Sequence, residues 1–252
     1  MTREESFIEA RLRVMCDREQ DAGIGTLGEK TLHRIVKCML QPDASCHEVK
    51  LCGAFVDVLT EEGVIEVQTR DLYRLVPKLK RLLPDHRVTV VHPIPRSKTV
   101  RWIDPKTGEF TAPRKSPKKG SVSDALRELY GIREMLTHEN LVVMLLFFDV
   151  EDYRTLDGWS RDRKRGSTRA ERIPLAYRGE EWLVNDADYK RLYLPPELWH
   201  APFTVKEYAA LMHLKERYAY YAISILMARG ILAHVGKNGR AFLYQITDKC
   251  KD

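Results

Sequence analysis

The chain has no long apolar run. Its longest, Leu141 to Phe148, falls far short of the roughly 18 residues a membrane-crossing helix needs, so no membrane partner is expected. The start, M-T-R-E-E-S, is acidic and no apolar stretch follows it, which excludes a secretory leader from the reading. Cysteine is scarce. Five are present, Cys16, Cys38, Cys46, Cys52 and Cys250, an odd number without a C-x-x-C pair. That argues against a disulfide framework and against a structural zinc site. Cys46-His47 and Cys52 come nearest to a ligand cluster, and buried, reduced cysteines are the better reading. Together these absences point to a cytoplasmic protein.

What is present is clustered positive charge. The 252 residues carry a formal net charge of +6. Residues 96 to 120 hold eight bases against two acids: Arg96, Lys98, Arg101, Lys106, Arg114, Lys115, Lys118 and Lys119 against Asp104 and Glu109. Residues 161 to 172 hold six bases, Arg163, Lys164 and Arg165 among them, against Asp162 and Glu171. A solvated loop is the plain reading of such runs; contact with a polyanion is the sharper one and is preferred. Trp102 and Phe110 lie among these bases, as nucleic-acid stacking requires, although aromatics also simply pack hairpins.

The order of elements predicts a mixed α/β fold. A helix is expected over residues 2 to 20, with Phe7, Ile8, Leu12 and Met15 on its apolar stripe. A Gly-punctuated break follows. Its G-I-G-T-L-G has no strand before it, so a dinucleotide loop is rejected. A second helix, from about Thr26 to Leu40, carries Glu29 in its first turn, where an acid also complements the helix N-terminus. Then come a strand at 48 to 52, a hairpin, an amphipathic helix at 71 to 83, a strand at 87 to 94, a hairpin at 97 to 113, a Ser-capped helix and a buried strand at 141 to 150. Strand, helix and strand in succession imply parallel pairing. The core domain is expected to span residues 1–150, with 151–200 a basic connector or domain extension.

The chain is organised around Gly53 to Thr69. Gly53 to Leu59 is an apolar run interrupted by Asp57; Thr60 to Gly63 is a turn; Val64 to Gln68 is a β-branched strand carrying Glu66. Residues two apart share a strand face, so Val64, Glu66 and Gln68 point one way. An acid in an apolar strand is costly to bury without a partner, and a hard divalent cation suits two of them. An ordinary hairpin with one face in water is the rival reading.

Asp57, a hairpin turn and Glu66-Val67-Gln68, preceded by the helix-forming Gly23 to Lys37, resemble the PD-(D/E)XK nuclease superfamily, roughly over residues 20 to 95 with a continuation to about 150. Val56 stands where that family often has Pro, and Gln68 stands in its Lys position. The resemblance implies a restriction-endonuclease-like mixed sheet flanked by helices. It implies Asp57 and Glu66 as ligands of Mg²⁺ or Mn²⁺, Glu29 as a further acid and Gln68 as the group that orients water. Lys50 or Arg70 would replace the missing positive charge.

The last fifty residues form their own unit. Helices at 205–214 and 218–230, the second ending at Gly230, lead into a hairpin with the turn Lys237-Asn238-Gly239-Arg240. This layout resembles a winged helix over residues 201–252, whose wing would bring Lys237 and Arg240 to phosphate. Winged helices also serve as docking modules. The function expected is a metal-dependent DNA endonuclease, for which a homodimer is compatible. A nuclease-like regulator without activity and an interaction subunit of a restriction or repair complex are the alternatives.

Overall fold

The computed structural model describes residues 1–20, 30–104, 106–155 and 168–247. Helix α1 (Arg3–Gln20) packs against α2 (Thr31–Leu40). Three strands follow, β1 (His47–Leu51), β2 (Ala54–Thr60) and β3 (Gly63–Val67), each antiparallel to its predecessor. Gly63, at φ +132°, has no room for a side chain: a Cβ there would lie 2.3 Å from the Arg87 carbonyl oxygen. Helix α3 (Val76–Leu82) returns the chain to β4 (Val88–Ile103), which runs parallel to β3. The short β5 (Arg114–Lys115) folds back on β4. Helix α4 (Leu126–Gly131) follows, introduced by a capping box between Ser121 and Asp124. Then β6 (Leu141–Thr155) runs parallel to β4, and β7 (Thr168–Leu183) antiparallel to β6. The sheet order is β1-β2-β3-β4-β6-β7, with β5 beside β4.

The period of two along β6 divides the core. Val143, Leu145 and Phe147 join Val64 and Val90 under the leucines of α3 and α4. Met144, Leu146 and Phe148 join Val67 and Val91 under Phe7, Val14 and Ile35 of α1 and α2. The chain is thus a mixed α/β fold whose sheet carries helices on both faces. Beyond the sheet lie α5 (Asp186–Tyr193), α6 (Val205–Leu211), α7 (Glu216–Ala228) and a hairpin of β8 (Leu232–Asn238) and β9 (Ala241–Ile246). Phe203 bridges to Tyr244 of β9. This unit is not separate in its packing. Ala222, Ile225 and Leu226 share one core with Leu126 and Leu129 of α4, and the Tyr221 ring lies 4.7 Å from that of Tyr130.

Several expectations are corrected. On α1 the buried stripe is Phe7, Ala10 and Val14, while Ile8 and Leu12 are exposed. Small Ala10 fills the close approach, and the larger apolar residues sit about a third of a turn away. The strand at 87 to 94 and the first arm of the next hairpin are one strand, β4, passing a register shift between Pro95 and Ser97. The boundary drawn after residue 150 falls inside β6, and β7 adds to the same sheet, which is the domain-extension alternative for residues 151–200. Cys16 and Cys52 are exposed and Cys38 and Cys46 half-buried, so these cysteines are not the core residues expected. The terminal turn falls on Gly239-Arg240, with Asn238 paired to Ala241; Gly239, at φ +58°, takes the first turn position. No helix among the described residues is long and apolar enough to cross a membrane.

Candidate functional site

The site forms where the sheet splits. β3 ends at Val67, but β4 continues to Ile103 paired to β6 along its whole length. A cleft therefore opens beyond the carboxyl end of β3, where open α/β sheets place ligands. The β2–β3 ladder pairs Thr60 with Gly63, Leu59 with Val64 and Val58 with Ile65, and stops there. At the next position inward the two acids take over from the backbone. Glu66 Oε1 accepts from the Asp57 amide at 3.4 Å, and Asp57 Oδ2 accepts from the Val67 amide at 2.7 Å. The strands are thus held apart by their own carboxylates.

The two acids have opposite electrostatics. Glu66 is 2% exposed, and Lys78 of α3 donates to its Oε2 at 2.7 Å. Burial, with the Asp57 charge beside it, overrides Lys78 and lifts the Glu66 carboxyl to about 7. Burial also pushes Asp57 up, but the hydrogen bond and charge of His33, the Val67 amide and Lys78 outweigh it and hold Asp57 below the usual range. His33 Nε2 of α2 lies 3.1 Å from Asp57 Oδ2. Asp57, His33, Lys30, Glu48, Gln68 and Thr69 line a cleft of about 560 Å³, and Lys37 pairs with Glu48 at 2.5 Å.

Not every residue singled out from sequence joins this cluster. Gln68 lines the cleft, but its side-chain amide donates to the Arg70 carbonyl at 2.7 Å. Arg70 faces Asp71, and Lys50 is exposed on β1; the cation on Glu66 is Lys78 instead. Glu29, Arg163, Lys164 and Arg165 lie outside the described residues. Arg101 is engaged by Glu151 at 2.6 Å and Lys118 by Asp124. Lys106, Arg114, Lys115 and Lys119 are exposed. On the terminal hairpin Arg240 is exposed, and Lys237 stands 4.9 Å over the Phe242 ring. Lys78 and His33 stand out from no motif in the sequence. The signal for Lys78 was its place on the border of the Leu75, Leu79 and Leu82 stripe.

Two carboxylates are hard oxygen donors, and the repulsion that lifts Glu66 is what a cation relieves. No group of three or more His, Cys, Asp or Glu side chains fit to hold a metal ion occurs among the described residues. Mg²⁺ commonly takes only one or two protein carboxylates and completes its shell with water and phosphate. Asp57 lines the cleft, whereas Glu66 is buried with its oxygens on the Asp57 amide and Lys78, so it would join Asp57 in holding such an ion only by giving up Lys78.

The geometry defines a mixed α/β protein with an acidic cleft at a strand terminus. Residues 30–183, from the residue before α2 to the end of β7, match the family described as "Domain of unknown function (DUF8091)". An "Uncharacterized protein" of Treponema pallidum (strain Nichols) is 32% identical over 225 residues, covering 88% of this chain and 87% of that one. The chain belongs to the DUF8091 family. No solved structure matches it. The matched segment contains Asp57, Glu66, Lys78 and His33, and ends before α5.

Proposed function

We propose that this chain is a Mg²⁺- or Mn²⁺-dependent nuclease that hydrolyses phosphodiester bonds of DNA. The observation that carries the reading is the splayed end of β2 and β3. There Asp57 and Glu66 each cap the other strand's backbone, and Glu66 is charged only at the expense of its neighbour. A cation held by these two acids would polarise the phosphoryl oxygens and lower the pKa of a bound water. Asp57 stays ionised, oriented by His33. Lys78 offsets the charge of Glu66 from the α3 side. Gln68, tied to Arg70, positions the loop after β3. Parallel pairing of β3, β4 and β6 supports the restriction-endonuclease-like reading.

The bases of residues 96 to 120, six of them exposed along the extended β4–β5 ribbon and the loops beside it, suit the DNA backbone. The order helix, bridge, two helices and hairpin supports a winged helix at the C-terminus. Its α7 is packed on α4, so phosphate contact falls to the hairpin, through Lys237 and Arg240. A second reading, a DNA-binding regulator without activity, is favoured by one observation: the Gln68 amide is committed to Arg70 and not to the acids.

The test is cleavage of a panel of duplex, branched and single-stranded DNA with Mg²⁺, Mn²⁺ or EDTA, using wild type, Asp57→Ala and Glu66→Ala. Metal-dependent cleavage present in wild type and lost in both variants is expected. Binding without cleavage across the panel would leave the regulator in its place.

A further inference from the structure

Beside the acidic cleft lies a region of the opposite sign. A cavity of about 260 Å³ is lined by Lys98, Arg172, Lys118, His92 and Asp124, with Thr69 shared between it and the acidic cleft. The register of the long strands builds it. Lys98 of β4 stands opposite Val150, Asp152 of β6 opposite Arg172 of β7, and Arg154 opposite Arg169. Side chains of directly opposed residues share a face, so Asp152, Arg172, Arg154 and Arg169 project to one side.

Asp152 is fully buried and held by Arg172 through two bonds, of 2.6 and 2.9 Å. That pair is complete. Lys98 and Arg169 share the charge of Asp152 without a direct bond to it. Among the described residues Lys98 makes no ion pair, and Arg169 has a buried Nε without a hydrogen-bond partner. The acids lining the cavity are engaged elsewhere: Asp124 by Lys118 and the Ser121 amide, Glu128 by the Leu72 amide.

The strain is visible in the charges. Burial depresses Lys98; Asp152 opposes it, and the charges of Arg172, Arg154 and Lys118 add to it, so the net direction is down. Burial likewise depresses Arg169, followed by Arg172; Asp152 opposes them, and Arg70 and Arg154 tip the balance downward. Lys30, on the acidic cleft, is lowered by burial and then by Arg169. Arg169 thus acts on both clefts. Cations gathered with too few acids are unfavourable in the free protein, and an anion of high charge density is what would relieve them.

We infer that Lys98 and Arg172 line a phosphate-binding pocket, with the charge of Arg169 acting on it through Arg172, one residue's width from the acidic cleft. The volume is ample for a phosphate group. The phosphate belongs to a DNA strand or is free in solution. The strand source rests on the nuclease reading; the pocket does not.

The experiment uses the full chain without metal, as wild type, Lys98→Gln, Arg169→Gln and Asp57→Ala. Thermal unfolding is followed with inorganic phosphate or chloride at matched ionic strength. Competing binding is then measured with 5′-phosphorylated and 5′-hydroxyl oligonucleotides of one sequence. Phosphate is expected to raise the melting temperature of wild type and of Asp57→Ala, and to bind at least tenfold more weakly to Lys98→Gln and Arg169→Gln. Without phosphate those two variants should melt close to wild type, because each loses the attraction of Asp152 together with the repulsion of its neighbouring cations; a merely structural role would lower them. Tighter binding of the phosphorylated oligonucleotide identifies a strand end, and equal binding identifies free phosphate; both uphold the pocket. An absent phosphate effect in wild type, or an equal one in both Gln variants, overturns it. Failure of cleavage alone, with phosphate binding intact in Asp57→Ala, would sink the nuclease reading and leave the pocket standing.

Discussion

Glu66 and Asp152 are both buried acids on strands of one sheet, and their surroundings drive them in opposite directions. Asp152 has a bidentate Arg172 and further cations nearby, so burial is outweighed and its carboxyl falls below the usual range. Glu66 has one lysine and a second acid against it, so burial wins and its carboxyl rises to about 7. Burial alone does not decide the state of a carboxylate; the count and geometry of its partners do. The sheet therefore places a buried acid pair near a group of cations, and Thr69 lines the clefts on both sides.

The contrast breaks most sharply at the satisfied pair. Arg172→Met leaves Asp152 charged, buried and unpaired, and should cost about 3–5 kcal/mol in urea unfolding at neutral pH. Glu66 gives the next largest effect, and it depends on pH. Between about 4.5 and about 7 the native protein holds a proton on Glu66 that the unfolded chain has released, so stability falls as pH rises through this window. The full fall attributable to Glu66 is roughly 3 kcal/mol. In Glu66→Gln that part of the slope should vanish while the rest of the pH profile remains.

Lys78→Met sharpens the comparison further. At pH 8 it strands a charged Glu66 and should cost about 1–3 kcal/mol; at pH 5 Glu66 is neutral and the cost should be small. Equal losses at the two pH values would mean that Lys78 acts by packing alone. Smallest of all, Lys237→Ala and Arg240→Ala should each lower the dependence of log Kd for DNA on log salt by about 1 without altering thermal stability.

Much of the fold was legible because burial leaves period-two and helical patterns behind. The continuous apolar run Leu141 to Phe148, buried on both faces, the Ser121 and Gly230 caps and the Asp57–Glu66 hairpin all read directly from residue type. The continuity of β4 did not, since the strand reads as ending at Ile94, before Pro95, whereas the structure carries it on to Ile103 and absorbs the irregularity in a register shift. Nor did the α1 stripe, where Ala10 is weaker in a hydrophobic pattern than Leu12 yet is the residue that fits. In the candidate site the two acids were legible from their interruption of apolar strands. Lys78 and His33 were not, because a lysine or histidine at the edge of an amphipathic helix looks the same whether it meets water or a buried carboxylate. The cationic group was hidden for a different reason: Lys98, Arg169 and Arg172 come together only through β4–β6–β7 register.

The central claim is that Asp57 and Glu66 form a divalent-cation site, and calorimetric titration of Mn²⁺ at pH 6 and pH 8 tests it most directly. Binding to wild type should tighten about tenfold as Glu66 gives up its proton near pH 7. Glu66→Gln should bind weakly and with no such change, and Asp57→Ala should bind weakly at both. Absence of binding to wild type at either pH, or the same tightening in Glu66→Gln, would contradict the account.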